Sequence, residues 1–251
     1  MVEVDWDSRA KGAGWQSVID PADSAGTKNA LIDQIHWNHI AGWASRRRSV
    51  LDFGCGVGRF AQRLAQLGVD YSGLDPSPAM IESARQLHGV LPSCFFHVPA
   101  LPLPFATGSF DGCISVLVLQ YLRSADGARM RSTVSELARV LVPGGELLII
   151  EQASASGGMS SSVAETSREQ DYIDALSGWF DIADVQHIRC GSLSRLSSSY
   201  IRWGGSLPLR GRIEAFLAKR EAFIARNADA LFLQRLGYYD VAIRAVTRAC
   251  G

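Results

Sequence analysis

Val50-Leu51-Asp52-Phe53-Gly54-Cys55-Gly56-Val57-Gly58-Arg59-Phe60 is the stretch from which the rest of the chain is read. An apolar run of strand character ends near Asp52, and glycine then occupies every second position from Gly54 to Gly58. Past Arg59 the apolar residues Phe60, Leu64 and Leu67 fall at helical spacing. The pattern predicts strand, tight turn, helix. Glycine has no Cβ, so such a turn takes positive φ and lies close against a bound molecule, while the helix behind it offers free N–H groups and the positive end of its dipole. A polar or anionic ligand is expected there.

Glycine-rich turns serve several ligands. A phosphate-binding P-loop would need Lys followed by Ser or Thr, and Arg59-Phe60 stands after Gly58 instead. The dinucleotide pattern G-x-G-x-x-G would need a third glycine at Arg59. What remains is D-x-G-x-G-x-G, Asp52 to Gly58. Here the chain resembles the class I S-adenosylmethionine (SAM) dependent methyltransferases. The resemblance implies a cofactor wall of Gly54, Cys55, Gly56 and Gly58, with Asp52 near the methionine ammonium.

A second acid is expected about twenty residues on, ending the next strand and holding the ribose hydroxyls. Val69 to Asp75 supplies it, and Pro76, Ser77 and a helical pattern from Met80 follow. Gly73 to Ala84, GLDPSPAMIESA, resembles the family's second motif, which implies Asp75 at the ribose, flanked by Pro76, and Met80 near adenine. An acid favoured by the helix dipole is the structural alternative for Asp75. The third motif is Leu141 to Gly145, LVPGG, ahead of the apolar strand Glu146 to Glu151.

Between these motifs, Ser93 to Val98 reads as the third strand and Pro99 to Phe105 as a proline-constrained, non-helical loop. Relatives often carry an acid at the loop's start to bind the adenine amino group. Val98 and Pro99 stand there in this chain, so backbone around Pro99, Ala100 and Leu101, or else His97, is the expected substitute. Ser109 to Leu117 is the fourth strand, whose end, from Val116 through Gln120 and Tyr121, faces the pocket because ligands of open α/β sheets lie beyond the carboxyl ends of strands. Gln120 is placed to bridge cofactor and acceptor. Tyr121 stands where relatives commonly carry histidine and is either a proton-passing group or a half-buried aromatic. Glu151, at the end of the fifth strand, is either a general base or an acid that fixes a neighbouring loop.

Four of the six tryptophans, Trp6, Trp15, Trp37 and Trp43, precede the glycine strand, and Leu31, Ile32, Ile35, His36, His39 and Ile40 mark one face of a helix after Thr27 or Asn29. Residues 1–45 are read as a helical cap, similar to that of bacterial methyltransferases acting on small molecules and sugars. Lys28, His36 and His39 are its chemically useful members. Arg46 to Arg48 reads as a solvated run. After Gln152 come a small, flexible stretch from Ala153 to Ser162, a helix from Glu165 to Leu176 and a strand from Phe180 to Ile188. Residues 191–237 are read as an insertion or lid bearing Arg195, Tyr200, Arg202 and Trp203 and a helix from Ile213 to Leu236. Tyr238 to Val246 is a final strand.

The fold expected is α/β: a seven-stranded Rossmann-like methyltransferase sheet, mostly parallel, with the last strand returning antiparallel as an edge. Its parts are the cap (1–45), the SAM-binding core (46–190), the helical insertion (191–237) and the final strand (238–251). A chain of 251 residues with 47% hydrophobic and 20% charged residues suits one such unit with a large core. No apolar run reaches the roughly 18 residues of a membrane span, and the N-terminus is unlike a secretory signal. Five cysteines without C-x-x-C spacing read as reduced thiols of a cytoplasmic protein. Lys and Arg balance Asp and Glu at 25 each, which with no aromatic-basic interleaving excludes nucleic acid as the expected partner. The balance is uneven along the chain: 14 cations face 21 acids through residue 185 and 11 face 4 beyond it. The basic end either grips an anionic substrate or lies on solvated helix faces.

The expected activity is transfer of a methyl group from SAM, leaving S-adenosylhomocysteine, to an oxygen of a small sugar-like or anionic metabolite, with no metal and no membrane. Glu151, Tyr121 and His36 are the candidate acid-base residues, and Trp15, Lys28, Tyr200 and Arg202 the candidate substrate contacts. Methylation of an amine, a non-catalytic SAM-binding protein and an NAD-dependent oxidoreductase are the alternatives.

Overall fold

Alternating side chains of an extended strand point to opposite faces, so a strand apolar at every position must be covered on both. Val50 to Phe53 is buried at every position and apolar at all but Asp52, and β1 (Ser49–Phe53) runs through the middle of the sheet. The computed structural model describes residues 4–11, 18–20, 23, 26–89, 94–122, 127–154, 160–161, 164–165, 167–190, 210–228 and 238–248. Parallel to β1 run β2 (Asp70–Asp75), β3 (Phe95–His97), β4 (Phe110–Val116) and β5 (Leu141–Ala153). A two-stranded ribbon, β6 (Ser160–Ser161) and β7 (Ala164–Glu165), precedes β8 (Phe180–Arg189) and β9 (Tyr239–Thr247). The sheet order is β3-β2-β1-β4-β5-β9-β8, with β9 antiparallel to both of its neighbours.

The last strand is therefore antiparallel but is not the edge. Seven of its nine residues are buried, a pattern that demands a hydrogen-bonded partner on either side as well as cover above and below. β8 is largely half-exposed along its middle and takes the edge instead.

Helices cover both faces. On one, α5 (Ala128–Val140) and α6 (Glu169–Leu176) pack Val134, Leu137 and Tyr172 against Leu51, Phe53, Leu147 and Ile149. On the other, α2 (Thr27–Ala44), α3 (Ala61–Gln66) and α4 (Pro78–Leu87) cover Val50, Ile114, Leu148 and Ile150. α7 (Arg210–Arg226) packs on β8 and on α2, and the short α1 (Trp6–Ala10) on α4. No described helix is long and apolar enough to cross a membrane.

Three local expectations are corrected. The helix expected to run to Leu236 stops at Arg226, where the Asn227 side chain donates to Phe223 O at 2.8 Å and competes for the helical carbonyl. α6 starts at Glu169 rather than Glu165, because Arg168 N–H donates to Asp171 Oδ2 (2.8 Å) in a capping box. In the basic run, Arg47 is not solvated: its guanidinium lies 2.6 Å from Glu146 and over the ring of Trp43, whose Nε1–H also donates to Glu146.

Candidate active site

The turn after β1 is held by the neighbouring strand. Gly54 N–H and Cys55 N–H both donate to Leu74 O at 2.9 Å, and Gly54, Gly56 and Gly58 have φ of +73°, +54° and +76°. These glycines divide into two kinds. A Cβ on Gly54 would sit 2.5 Å from Val118 Cγ2, and one on Gly58 would sit 2.7 Å from Phe95. On Gly56 the nearest atoms would be Val18 Cγ1 at 3.6 Å and Met80 Sδ at 4.0 Å. Gly54 and Gly58 are thus demanded by packing, whereas Gly56 leaves a cradle that a side chain would fill. Gly56→Ala is expected to cost only the roughly 1 kcal/mol of a left-handed backbone while weakening S-adenosylhomocysteine binding at least tenfold. Gly54→Ala should lower the melting temperature sharply. Thermal unfolding beside titration with S-adenosylhomocysteine separates the two.

Asp75 ends β2 beneath this cradle, only 8% exposed. Its Oδ2 accepts from Gly56 N–H at 3.0 Å and its Oδ1 from Ser77 N–H at 2.9 Å. The carboxylate therefore ties the turn to the start of α4, where Ser77 Oγ caps Met80 N–H. Each oxygen keeps a lone pair for an incoming hydroxyl. Burial pushes the Asp75 carboxyl up against the pull of the two amides. α1 closes over the same place: Ser77 Oγ donates to Asp7 Oδ1 (2.5 Å), and Ala10 packs with Val57 and Met80. Asp52, 2% exposed, accepts from Tyr71 OH at 2.9 Å, and burial pushes its carboxyl up to about 7.

Past β4 the chain turns through Leu117 at φ 60°, a left-handed conformation that costs a non-glycine residue about 1–2 kcal/mol. Glu151 holds the turn in place. Fully buried at the end of β5, it accepts from Val118 N–H (2.9 Å) and Leu119 N–H (2.8 Å) on Oε1 and from Gln120 N–H (3.3 Å) on Oε2. Burial pushes this carboxyl up to about 8 despite the three amides. The loop-fixing alternative describes this geometry, and Glu151 presents no exposed oxygen to an acceptor. Gln120 is buried and Val116 half-buried on the same segment. Tyr121 lies edge-on to Trp6, ring centroids 5.1 Å apart, so α1 also roofs the end of β4.

His36 is buried in α2 with both ring nitrogens engaged. Arg59 Nη2, which can only donate, lies 3.2 Å from Nδ1, so Nε2 carries the proton and donates to Asp240 Oδ2 at 3.2 Å. Burial holds the imidazole below its ordinary pKa. Neither nitrogen is free to exchange a proton with an acceptor. Burial opposes ionisation of Asp240, but Arg189 overcomes it with two bonds, Nε to Oδ2 (2.6 Å) and Nη2 to Oδ1 (3.0 Å), and holds the carboxyl down to about 2. Asp33, also on α2, takes a bidentate pair from Arg63 at 2.7 and 2.8 Å. Lys28 pairs with Asp20 at 2.6 Å, inside the cap.

Pro99, Ala100 and Leu101 are exposed on the rim beyond β3, where Val98 N–H donates to Asp75 O. His97 is turned to Pro76 O at 3.1 Å. Trp15, Tyr200 and Arg202, with Arg195 and Trp203, lie outside the described residues. Sequence reasoning missed Asp7, Asp33, Arg59, Arg189 and Asp240. The one local signal was for Asp240, a charge at the start of the largely apolar strand YDVAIRAVT.

A sheet in this order, with a glycine cradle after β1 and a carboxylate beneath it after β2, defines a Rossmann-like domain. Residues 51–149 match the family described as methyltransferase domain. Among curated proteins, the chain is 34% identical over 123 residues to malonyl-[acyl-carrier protein] O-methyltransferase of Erwinia billingiae, covering 48% of this chain and 46% of the relative. It is 33% identical over 113 residues to the O-methyltransferase resE of Aspergillus sclerotiorum, covering 43% and 41%. The chain thus aligns with less than half the length of either relative. Its fold is shared by the PH0226 protein of Pyrococcus horikoshii, with a TM-score of 0.61, 15% identity and coverage of 94% of this chain and all of that one.

Proposed function

We propose that the chain transfers a methyl group from SAM to an oxygen atom of a small, anionic or sugar-like metabolite. The observation that carries the cofactor assignment is the Asp75 carboxylate joined to the amides of Gly56 and Ser77 beneath the open Gly56 cradle. That arrangement fits a nucleoside: Asp75 would receive the ribose hydroxyls, Gly56 would admit the sugar and methionine chain, and Met80, 1% exposed, would back the adenine. Bound there, SAM supplies a methyl group on a positively charged sulfur, already activated for transfer.

The protein's own work is then alignment and exclusion of water. Glu151 sets the 118–120 segment, and α1, anchored at Ser77 and Tyr121, shields the cradle. Tyr121, half-exposed and raised in pKa by burial, is the residue proposed to meet the acceptor hydroxyl. Gln120 and Val116 are proposed for the cofactor side, Lys28, Trp15, Tyr200 and Arg202 for the acceptor side. The two named relatives are O-methyltransferases, which supports oxygen as the target.

Calorimetric titration of cofactor-stripped protein with S-adenosylhomocysteine, followed by assay with labelled SAM against hydroxy acids, carboxylic acids and amines, tests the proposal. Heat of binding and oxygen-linked product are expected. Absence of heat from folded protein overturns the cofactor, and product from amines alone overturns the oxygen target.

A further inference from the structure

The network around His36 contains two donors without acceptors. Arg59 and Arg189 are nearly closed to solvent, with side-chain exposures of 7% and 5%. Each uses some of its N–H groups, Arg59 on His36 and Arg189 on Asp240. The Nη1 atom of each is sealed from solvent with no hydrogen-bond partner among the described residues. Arg59 Nη1 has Asp33 Oδ1 at 3.8 Å, beyond hydrogen-bond reach, and Glu221 lies near Arg189 but accepts from Cys190 N–H. A buried guanidinium N–H left unpaired is costly, so two of them in one linked network require a reason.

Their position supplies one. Arg59 follows directly on the glycine turn. Asp240 faces Gln152 at the carboxyl end of β5 and Arg189 at that of β8. Both arginines thus sit near the carboxyl ends of parallel strands, the end of such a sheet at which ligands lie. They are linked through one imidazole and one carboxylate, and a planar guanidinium with free N–H groups matches the paired oxygens of a carboxylate, as it does those of a phosphate.

We infer that Arg59 and Arg189 form a two-guanidinium site for a ligand carboxylate, with the His36–Asp240 pair holding the two side chains in place. The carboxylate belongs either to the methionine part of the donor or to the acceptor. Only that choice of source rests on the proposed function.

Succinate is the probe, titrated calorimetrically at matched ionic strength with and without saturating S-adenosylhomocysteine. The variants are Arg59→Gln and the charge-balanced double variant Arg189→Gln with Asp240→Asn, each first shown to be folded by circular dichroism. Succinate binding that persists beside S-adenosylhomocysteine and falls at least tenfold in both variants assigns the site to the acceptor. If instead S-adenosylhomocysteine displaces succinate, and both variants lose tenfold affinity for it but none for 5′-methylthioadenosine, which lacks the amino-acid part, the donor is the source. Succinate binding that depends on the arginines in a protein that does not bind S-adenosylhomocysteine keeps the site and overturns the proposed function. The single change Asp240→Asn keeps one oxygen to hold Arg189 while removing a competing negative charge, so it should tighten carboxylate binding, an outcome a merely structural role would not produce. Wild-type protein that binds no succinate, together with unchanged discrimination between S-adenosylhomocysteine and 5′-methylthioadenosine in the variants, overturns the inference.

Discussion

Asp75→Ala should raise the dissociation constant for S-adenosylhomocysteine at least 100-fold. Hydrogen bonds to a charged group contribute about 1.5–3 kcal/mol each, and two ribose hydroxyls on one carboxylate correspond to two or more orders of magnitude in affinity. The substitution also frees the amides of Gly56 and Ser77, so the cradle itself loses its tether. Asp75→Asn retains one carbonyl acceptor and should fall between the two, near tenfold. Because burial raises the pKa of this carboxyl, the acidic limb of the wild-type binding profile should lie above the pH at which an exposed aspartate would protonate. Calorimetry from pH 4 to pH 8 reads both effects. An affinity unchanged in Asp75→Ala would place the nucleoside elsewhere.

The second large effect is expected at Glu151. Replacement by alanine leaves three buried amides without an acceptor, at about 1–3 kcal/mol each, and removes what holds Leu117 in its left-handed turn. Loss of about 3 kcal/mol or more of stability should follow. Cofactor affinity should fall with it, since Val118 packs directly on Gly54. Glu151→Gln keeps the shape and isolates the charge. The folded protein keeps the proton on this carboxyl up to about 8, while the unfolded chain releases it near the ordinary value of 4.5. Its contribution to stability is therefore full below 4.5 and declines as pH rises toward 8, by up to about 1.4 kcal/mol per unit. The glutamine variant lacks that slope, so its melting temperature should gain on the wild type between pH 5 and pH 8. Parallel curves would refute the assignment of the proton.

These two residues differ in how openly the chain declared them. Asp75 was legible because its role depends on local order: a strand, an acid at its end, then Pro and a capping Ser, all contiguous. Glu151 was visible only as an acid at a strand end, because the amides that occupy it belong to residues more than thirty positions earlier. The His36–Asp240 contact spans 204 positions and the Arg189–Asp240 pair 51, and no periodicity reports on separations of that kind. The number of strands and the antiparallel sense of the last followed from the motifs. Its interior place did not, since alternation in YYDVAIRAV fits an edge as well as a middle strand. Arg47 was misread for a similar reason: a run of three arginines looks solvated until Glu146 and Trp43 are brought beside it by the sheet.

The seat of β9 between β5 and β8 imposes an order of assembly. β8 is hydrogen-bonded to the sheet only through β9, so although residues 180–189 are synthesised first, they have no strand to pair with until residues 239–247 have emerged. Until then β5 offers a bare edge, the kind of surface on which other chains pair and aggregate. The growing polypeptide can complete the first five strands and its glycine cradle, yet Asp240, the group that locks His36 and Arg189, arrives on the closing strand. Guarding that open flank during translation falls to whatever holds the nascent chain.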